Sequence, residues 1–190
     1  DGRRVQVILL DTRYFRSPLR AYRDALGRKH FQMVEVANPT ILGETQWQWL
    51  QQQLRQPADL RVIVSSIQVL SDRHRFEKWG NYRHERERLL SLIDSVDEGQ
   101  LILVSGDRHF SELSAVTLPS GKKLYEVTSS GLNTGGNFGE DEDNPHRVKW
   151  VKGQGFATLA IDWRPVKPEV SVVYQDASGV PLYQQALSIK

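Results

Sequence analysis

The chain has 190 residues, 39% hydrophobic and 25% charged, which suits one compact globular domain with a substantial core. Its 25 basic and 23 acidic side chains leave a formal charge of +2, too near balance to argue for nucleic acid or an anionic membrane as partner, although arginines gather over residues 83–88. Cysteine is absent, which excludes disulfides and thiolate metal ligands, and no apolar run approaches the ~20 residues of a membrane span.

Asp1-Gly2 is a pair that turns one strand into another, so the chain reads as opening in mid-hairpin, as a piece of something longer. Residues 5–10 are aliphatic except for Gln6 and end at Asp11, which predicts a strand buried on both faces. Residues 17–39 are irregular and basic and read as loop, with at most a helical turn. In "GETQWQWLQQQLRQP", Trp47, Leu50 and Leu54 recur at i, i+3 and i+7, a helix that Pro57 stops. "LRVIVSSIQVL" gives a second strand over residues 60–67, with Ser65 and Ser66 at its carboxyl end. From Glu85 onward Leu89, Leu92, Ile93 and Val96 form one helical stripe, and Gly99 is expected to cap it. A third strand, residues 101–105, runs straight into Gly106, Asp107, Arg108 and His109. Strand, helix, strand, helix, strand predicts a parallel or mixed sheet covered by helices.

Beyond His109 the character changes. "KKLYEVTSSGL", "GFATLAIDW", "VSVVYQD" and "PLYQQALSI" are short and alternating, with a hairpin turn at Asp176, Ala177, Ser178 and Gly179. They predict an antiparallel meander. "NTGGNFGEDEDNPHRVKW" between them is rich in Gly and Asx and reads as a long surface loop. The expectation is one domain over residues 1–190, with a βαβαβ part at 1–113 and antiparallel strands at 114–190.

Ligands of α/β sheets gather beyond the carboxyl ends of the strands. Four sets of polar residues fall there: Asp11 with Arg13, Ser65 with Ser66 and Gln68, Asp107 with His109, and Ser129 with Ser130. A carboxylate and an imidazole together suit a borderline or hard metal ion, and Gly106 lets the backbone turn so that both reach one locus. A plain Gly-Asp turn is the alternative. Asp11 and Arg13 read as a buried strand-end ion pair, and Trp47, Trp49 and Trp79 as core or helix-packing residues. "RHERERLL" reads as a solvated helix start with Glu85 facing Arg88, and His74 and His84 as exposed.

"LGETQWQWLQQQL", "RVIVSSIQ", "EKWGNYRHERERLL", "ILVSGDRHFSEL" and "YEVTSSGL" form an ordered series, with "VQVILLDTRYFRSP" ahead of it. The series resembles the carboxyl-terminal half of the PhoD-like (alkaline phosphatase D) group of calcineurin-like metallophosphoesterases. The resemblance runs from Val5 to Trp163. It implies an α/β fold, the mixed-sheet half of a four-layer αββα sandwich. It also implies hydrolysis of phosphate mono- or diesters by two divalent or trivalent metal ions that activate water and screen the transferring group. On that resemblance Asp107 and His109 take metal or catalytic roles, with Asp107 alternatively orienting His109.

Other sites carry over less directly. Ser66 and Gln68 stand where many metallophosphoesterases have a ligand, and suit either a substrate contact or a structural hydrogen bond. His146 flanks the expected cleft. Arg147 suits either a substrate phosphate or the acidic "GEDED" stretch. The family's early motifs, which supply the remaining ligands, have no counterpart here. The expected partners are therefore a phosphate ester, an amino-terminal half, or a second copy through an exposed sheet face. The chain alone is expected to be inactive, and export is the family's habit. The competing reading is a non-catalytic structural or interaction module that keeps the scaffold.

Overall fold

The computed structural model describes residues 2–34, 36–134, 139–140 and 142–189. In chain order its elements are β1 (Val5–Leu9), β2 (Leu19–Arg23), β3 (Lys29–Met33), α1 (Glu44–Leu54), β4 (Leu60–Ser65), α2 (Arg83–Asp94), β5 (Gln100–Ser105), β6 (Ser111–Thr117), β7 (Lys123–Ser129), β8 (Arg147–Val151), β9 (Gly155–Asp162), β10 (Glu169–Asp176) and β11 (Pro181–Leu187). A short 3-10 turn, Trp79–Tyr82, leads into α2.

Six strands make a mixed sheet in the order β1-β4-β5-β7-β6-β8. The first four of that order are mutually parallel, and β6 is antiparallel to both β7 and β8. β9, β10 and β11 form a separate antiparallel sheet, and Asp176 closes the last hairpin by accepting the amides of Ser178 and Val180 at 2.8 and 2.9 Å. The fold is thus α/β with a mixed sheet and a carboxyl-terminal antiparallel sheet. The main sheet runs across residue 113, because β7 pairs in parallel with β5 through Ile102↔Tyr125 and its neighbours.

Each face of the main sheet is covered differently. Trp47, Leu50 and Leu54 of α1 and Leu89 and Ile93 of α2 pack on one face against Ile8, Ile63 and Leu103. On the other face Leu60, Val62, Ile102, Leu113, Tyr125 and Val127 meet Val170, Val172, Tyr174 and Leu187 of the small sheet. The described residues therefore stack as helices, sheet, sheet; a fourth layer is not among them.

β4 and β5 are aliphatic over Val62–Val64 and Leu101–Val104 because both of their faces are covered there, and β1 differs in having one face open. It is an edge strand. Ile8 is buried, but Val5, Val7 and Leu9 are 44%, 57% and 68% exposed, in register with Leu60, Val62 and Val64 on the small-sheet side.

Other sequence expectations also need correcting. Residues 17–39 hold the β2–β3 hairpin, whose turn is pinned by the Asp24 carboxylate accepting the amides of Leu26 and Arg28, each at 2.9 Å. Its strands face solvent on much of their surface, so they lack the apolar alternation that marks a half-buried strand. β8 occupies the end of the stretch read as loop, and β6 follows the Asp107 turn directly. α2 closes at Ser95, well before Gly99. Trp49 is exposed on α1, on the side away from Trp47 and Leu50.

Glu85 is the largest surprise, since it is buried and accepts hydrogen bonds from the Ile41 and Leu42 amides, Thr40 Oγ1 and Trp47 Nε1. Arg88 instead pairs with Glu44 at 2.9 Å. No helix among the described residues is long and apolar enough to cross a membrane.

Candidate functional site

Because β1, β4, β5 and β7 are parallel, their carboxyl ends share one edge of the sheet. The chain leaves these ends as Asp11-Thr12-Arg13, Ser65-Ser66, Gly106 to His109, and Ser129-Ser130. Direct contacts join these ends, Arg13 reaching past β4 to the turn after β5. Thr12 Oγ1 and Ser66 Oγ are 2.5 Å apart, Arg13 Nη2 lies 3.8 Å from Asp107 Oδ1, and Ser130 Oγ accepts the amides of Arg108 and His109 at 2.9 and 3.0 Å.

The Asp107 turn points its side chains alternately out and in. Asp107 and His109 are exposed and both hold left-handed backbone, φ 70° and 58°, a region ordinary residues seldom adopt. Arg108 between them is buried, its guanidinium 4.5 Å from the Phe76 ring and 5.1 Å from the Phe110 ring, and paired with Glu142.

Asp11 and Arg13 do not form the expected ion pair. The Asp11 carboxylate accepts the backbone amides of Tyr14 and Arg13, which hold its pKa below the usual carboxylate value. Arg13 reaches instead to Glu77 at 2.7 Å, which also binds Arg16 at 2.7 Å, and on to Asp107.

The other candidates fall at varying depth. Ser66 is exposed at the edge beside Thr12. Gln68 is fully buried, its Nε2 donating to Glu112 Oε2 and Thr128 Oγ1, each at 3.0 Å. Arg147 pairs with the buried Glu112 and donates to the carbonyls of Gly139 and Glu140 at 2.6 and 2.5 Å, so it ties the acidic stretch to β6. His146 is half-buried, and burial together with the Arg86 charge lowers its pKa. Among the described residues no three His, Asp or Glu side chains converge as a metal-holding group. A cavity of about 580 Å³ lies toward the opposite edge of the sheet, against Leu54, Arg55, Arg61 and Val96.

His74, expected at the surface, is buried beside Phe76, whose amide donates to its Nδ1 at 3.2 Å. Burial, reinforced by the Arg108 and Lys78 charges, lowers its pKa to about 2. The unfolded chain takes up this proton near pH ~6.5 and the folded chain does not, so stability is full above that pH and falls as pH drops toward the folded value. Between pH ~7 and ~5 the wild type should lose about 1–2 kcal/mol more than His74→Asn, whose amide oxygen can replace Nδ1 as acceptor. Urea unfolding at each pH checks this; parallel pH slopes would mean that the folded protein protonates His74 freely.

Arg108, Glu77 and the Ser130 hydroxyl complete the site's immediate frame. Nothing in "HRFEKWG" or in the spacing of Arg108 singled out the first two as neighbours of the turn. Ser130 stood among the strand-end residues, but without a partner.

Residues 1–171 match the family model of the PhoD-like phosphatases. The chain belongs to the PhoD-like phosphatase family. Among solved structures, the "Structure of PhoD" superposes with a TM-score of 0.63 at 19% sequence identity, an agreement of fold. The alignment covers 98% of this chain and 42% of that one, so the chain spans less than half of that relative's length. No curated protein matches it. In this member of the family the "GDRH" turn sits on the edge where four strand ends converge.

Proposed function

We propose that these 190 residues supply one side of the active site of a metal-dependent phosphoesterase, with Asp107 and His109 as donors to one of two metal ions. The observation that carries the reading is the exposure of both residues on one turn at the carboxyl end of β5. Carboxylate and imidazole are the right donor chemistry, but two donors do not complete a coordination sphere. The remaining ligands would come from polypeptide outside these residues, in keeping with the chain's 42% coverage of the PhoD structure. A metal held there supplies an activated water and charge neutralisation for phosphoryl transfer.

Arg13, half-exposed and beside Asp107, is placed to meet a phosphate oxygen with its guanidinium fork, while Glu77 keeps it oriented. Ser66 offers a hydroxyl on the same edge. The Val5, Val7 and Leu9 face of β1 would be covered by the same additional polypeptide, or by a second copy of the chain.

The test is calorimetric titration of the chain and of His109→Ala with Mn²⁺. One ion per chain, lost in the variant, is the expected result. Binding that survives the substitution would place the ion elsewhere and defeat the assignment. Absence of any three-donor group among the described residues favours one competitor, a scaffold without chemistry of its own. Robust metal-dependent hydrolysis of an aryl phosphate by the chain alone, abolished by His109→Ala, would eliminate that competitor. It would also overturn the need for further ligands.

A further inference from the structure

We infer that Ser130 is the positioning residue of the site turn, its hydroxyl gathering two consecutive amides so that Asp107 and His109 are both presented outward. This rests on the proposed reading of those two residues as metal donors.

Ser130 Oγ accepts from Arg108 N at 2.9 Å and from His109 N at 3.0 Å. One sp³ oxygen therefore satisfies two adjacent donors that a turn with reversed φ would otherwise leave to water. Left-handed backbone at Asp107 and again at His109 is unfavourable for residues with a Cβ, and it persists where the surroundings over-determine it. Two anchors do so here. Ser130 holds the backbone from the end of β7, while the Arg108 side chain is drawn inward between Phe76 and Phe110 and paired with Glu142. With the middle residue pulled in at both its amide and its guanidinium, the flanking side chains have the exposed side left to them.

The serine is itself well seated. Its amide donates to Phe110 O at 3.3 Å, and Gly131 next to it approaches the His109 carbonyl so closely that a Cβ there would stand 3.3 Å from the oxygen. Residues 130–131 thus flank the turn from below, and alanine, which has no group at the hydroxyl's position, accepts neither amide. Groups that orient metal donors typically change affinity by about ten- to a hundredfold when removed.

The experiment compares wild type, Ser130→Ala and Ser130→Thr in two measurements on the same ¹⁵N-labelled samples. One is amide hydrogen exchange at Arg108 and His109; the other is paramagnetic broadening of the Asp107 and His109 signals on titration with Mn²⁺. Ser130→Ala should accelerate exchange at both amides at least about tenfold and weaken Mn²⁺ binding by about ten- to a hundredfold. Amides within β5 and β7 should keep their protection. Ser130→Thr, which retains the acceptor, should restore both readouts.

Unchanged exchange in Ser130→Ala overturns the inference. So does faster exchange with Mn²⁺ affinity intact, since the hydroxyl would then hold the turn without serving the donors. Were the wild type to show no Mn²⁺ effect while exchange still rises in Ser130→Ala and recovers in Ser130→Thr, the metal reading would fail and the structural half of the inference would stand.

Discussion

Replacing Glu85 by leucine should destabilise the chain by about 3–5 kcal/mol, because the substitution removes a buried acceptor and leaves its donors behind. The carboxylate receives Ile41 N at 2.6 Å, Leu42 N at 3.2 Å, Trp47 Nε1 at 2.7 Å and Thr40 Oγ1 at 3.0 Å. These donors belong to the segment entering α1, whose N-cap residue is Gly43 and therefore offers no side-chain oxygen of its own. A residue from α2 thus takes over the capping of the approach to α1, and it joins the two helices that cover one face of the sheet.

Leucine fills the space but cannot accept. Each stranded buried N–H costs roughly 1–3 kcal/mol before relaxation, so three of them set the range. Glu85→Gln keeps the volume and one good acceptor oxygen and should cost only about 1–2 kcal/mol. Equilibrium urea unfolding of the three proteins reads the difference directly. A leucine variant as stable as wild type would show that the carboxylate contributes nothing net.

Glu85 also shows where a sequence stops being readable. In "RHERERLL" every charge looks alike, and helical periodicity places Glu85 on the same face as Leu89 without saying whether that face meets carbon or amide groups. What decides is the arrival of residues 40–47 from a distant part of the chain. His74 was obscure for the same reason: its burial depends on Phe76 and on Arg108, more than thirty residues away in sequence.

Elements whose environment is uniform were legible. β4 and β5 are aliphatic over Val62–Val64 and Leu101–Val104 because both faces are covered there, and their polar exits at Ser65 and Gly106 follow from the chain leaving the core. β1 carries the same aliphatic signature yet has one open face, since sequence records which residues tolerate burial and not what is there to bury them. The strand-end clusters could be located from sequence. The Arg13–Asp107 contact and the double acceptance by Ser130 could not, because each joins strands brought together only by the sheet order.

At the opposite edge of the sheet Gly99→Ala should cost about 3–5 kcal/mol, well above the ~1 kcal/mol that left-handed backbone alone exacts from alanine. Gly99 has φ 78°, and a Cβ there would lie 2.2 Å from the Ala58 carbonyl oxygen and 2.7 Å from Arg61 Nη1. Neither neighbour can retreat easily. Arg61 is 2% exposed, with Nη2 donating to Gln56 O at 2.5 Å and Nη1 to Glu98 O. Those carbonyls follow the ends of α1 and α2, so the guanidinium sits where both helix dipoles favour a cation. Burial lowers its pKa, and the Glu98 charge partly offsets that. Pushing the guanidinium off those carbonyls would leave a buried cation short of acceptors, which is the expensive part.

Gly121→Ala supplies the control. Its φ is 86° and nothing lies within 4 Å of the added carbon, so it carries the backbone strain without the collision. The excess of Gly99→Ala over Gly121→Ala in urea unfolding therefore measures the collision and the displaced guanidinium together. In an Arg61→Leu background that excess should shrink, with only the Ala58 carbonyl left to resist. Equal losses at the two glycines would mean that the backbone at residues 58 and 99 parts freely, and that Arg61 does not depend on their close approach.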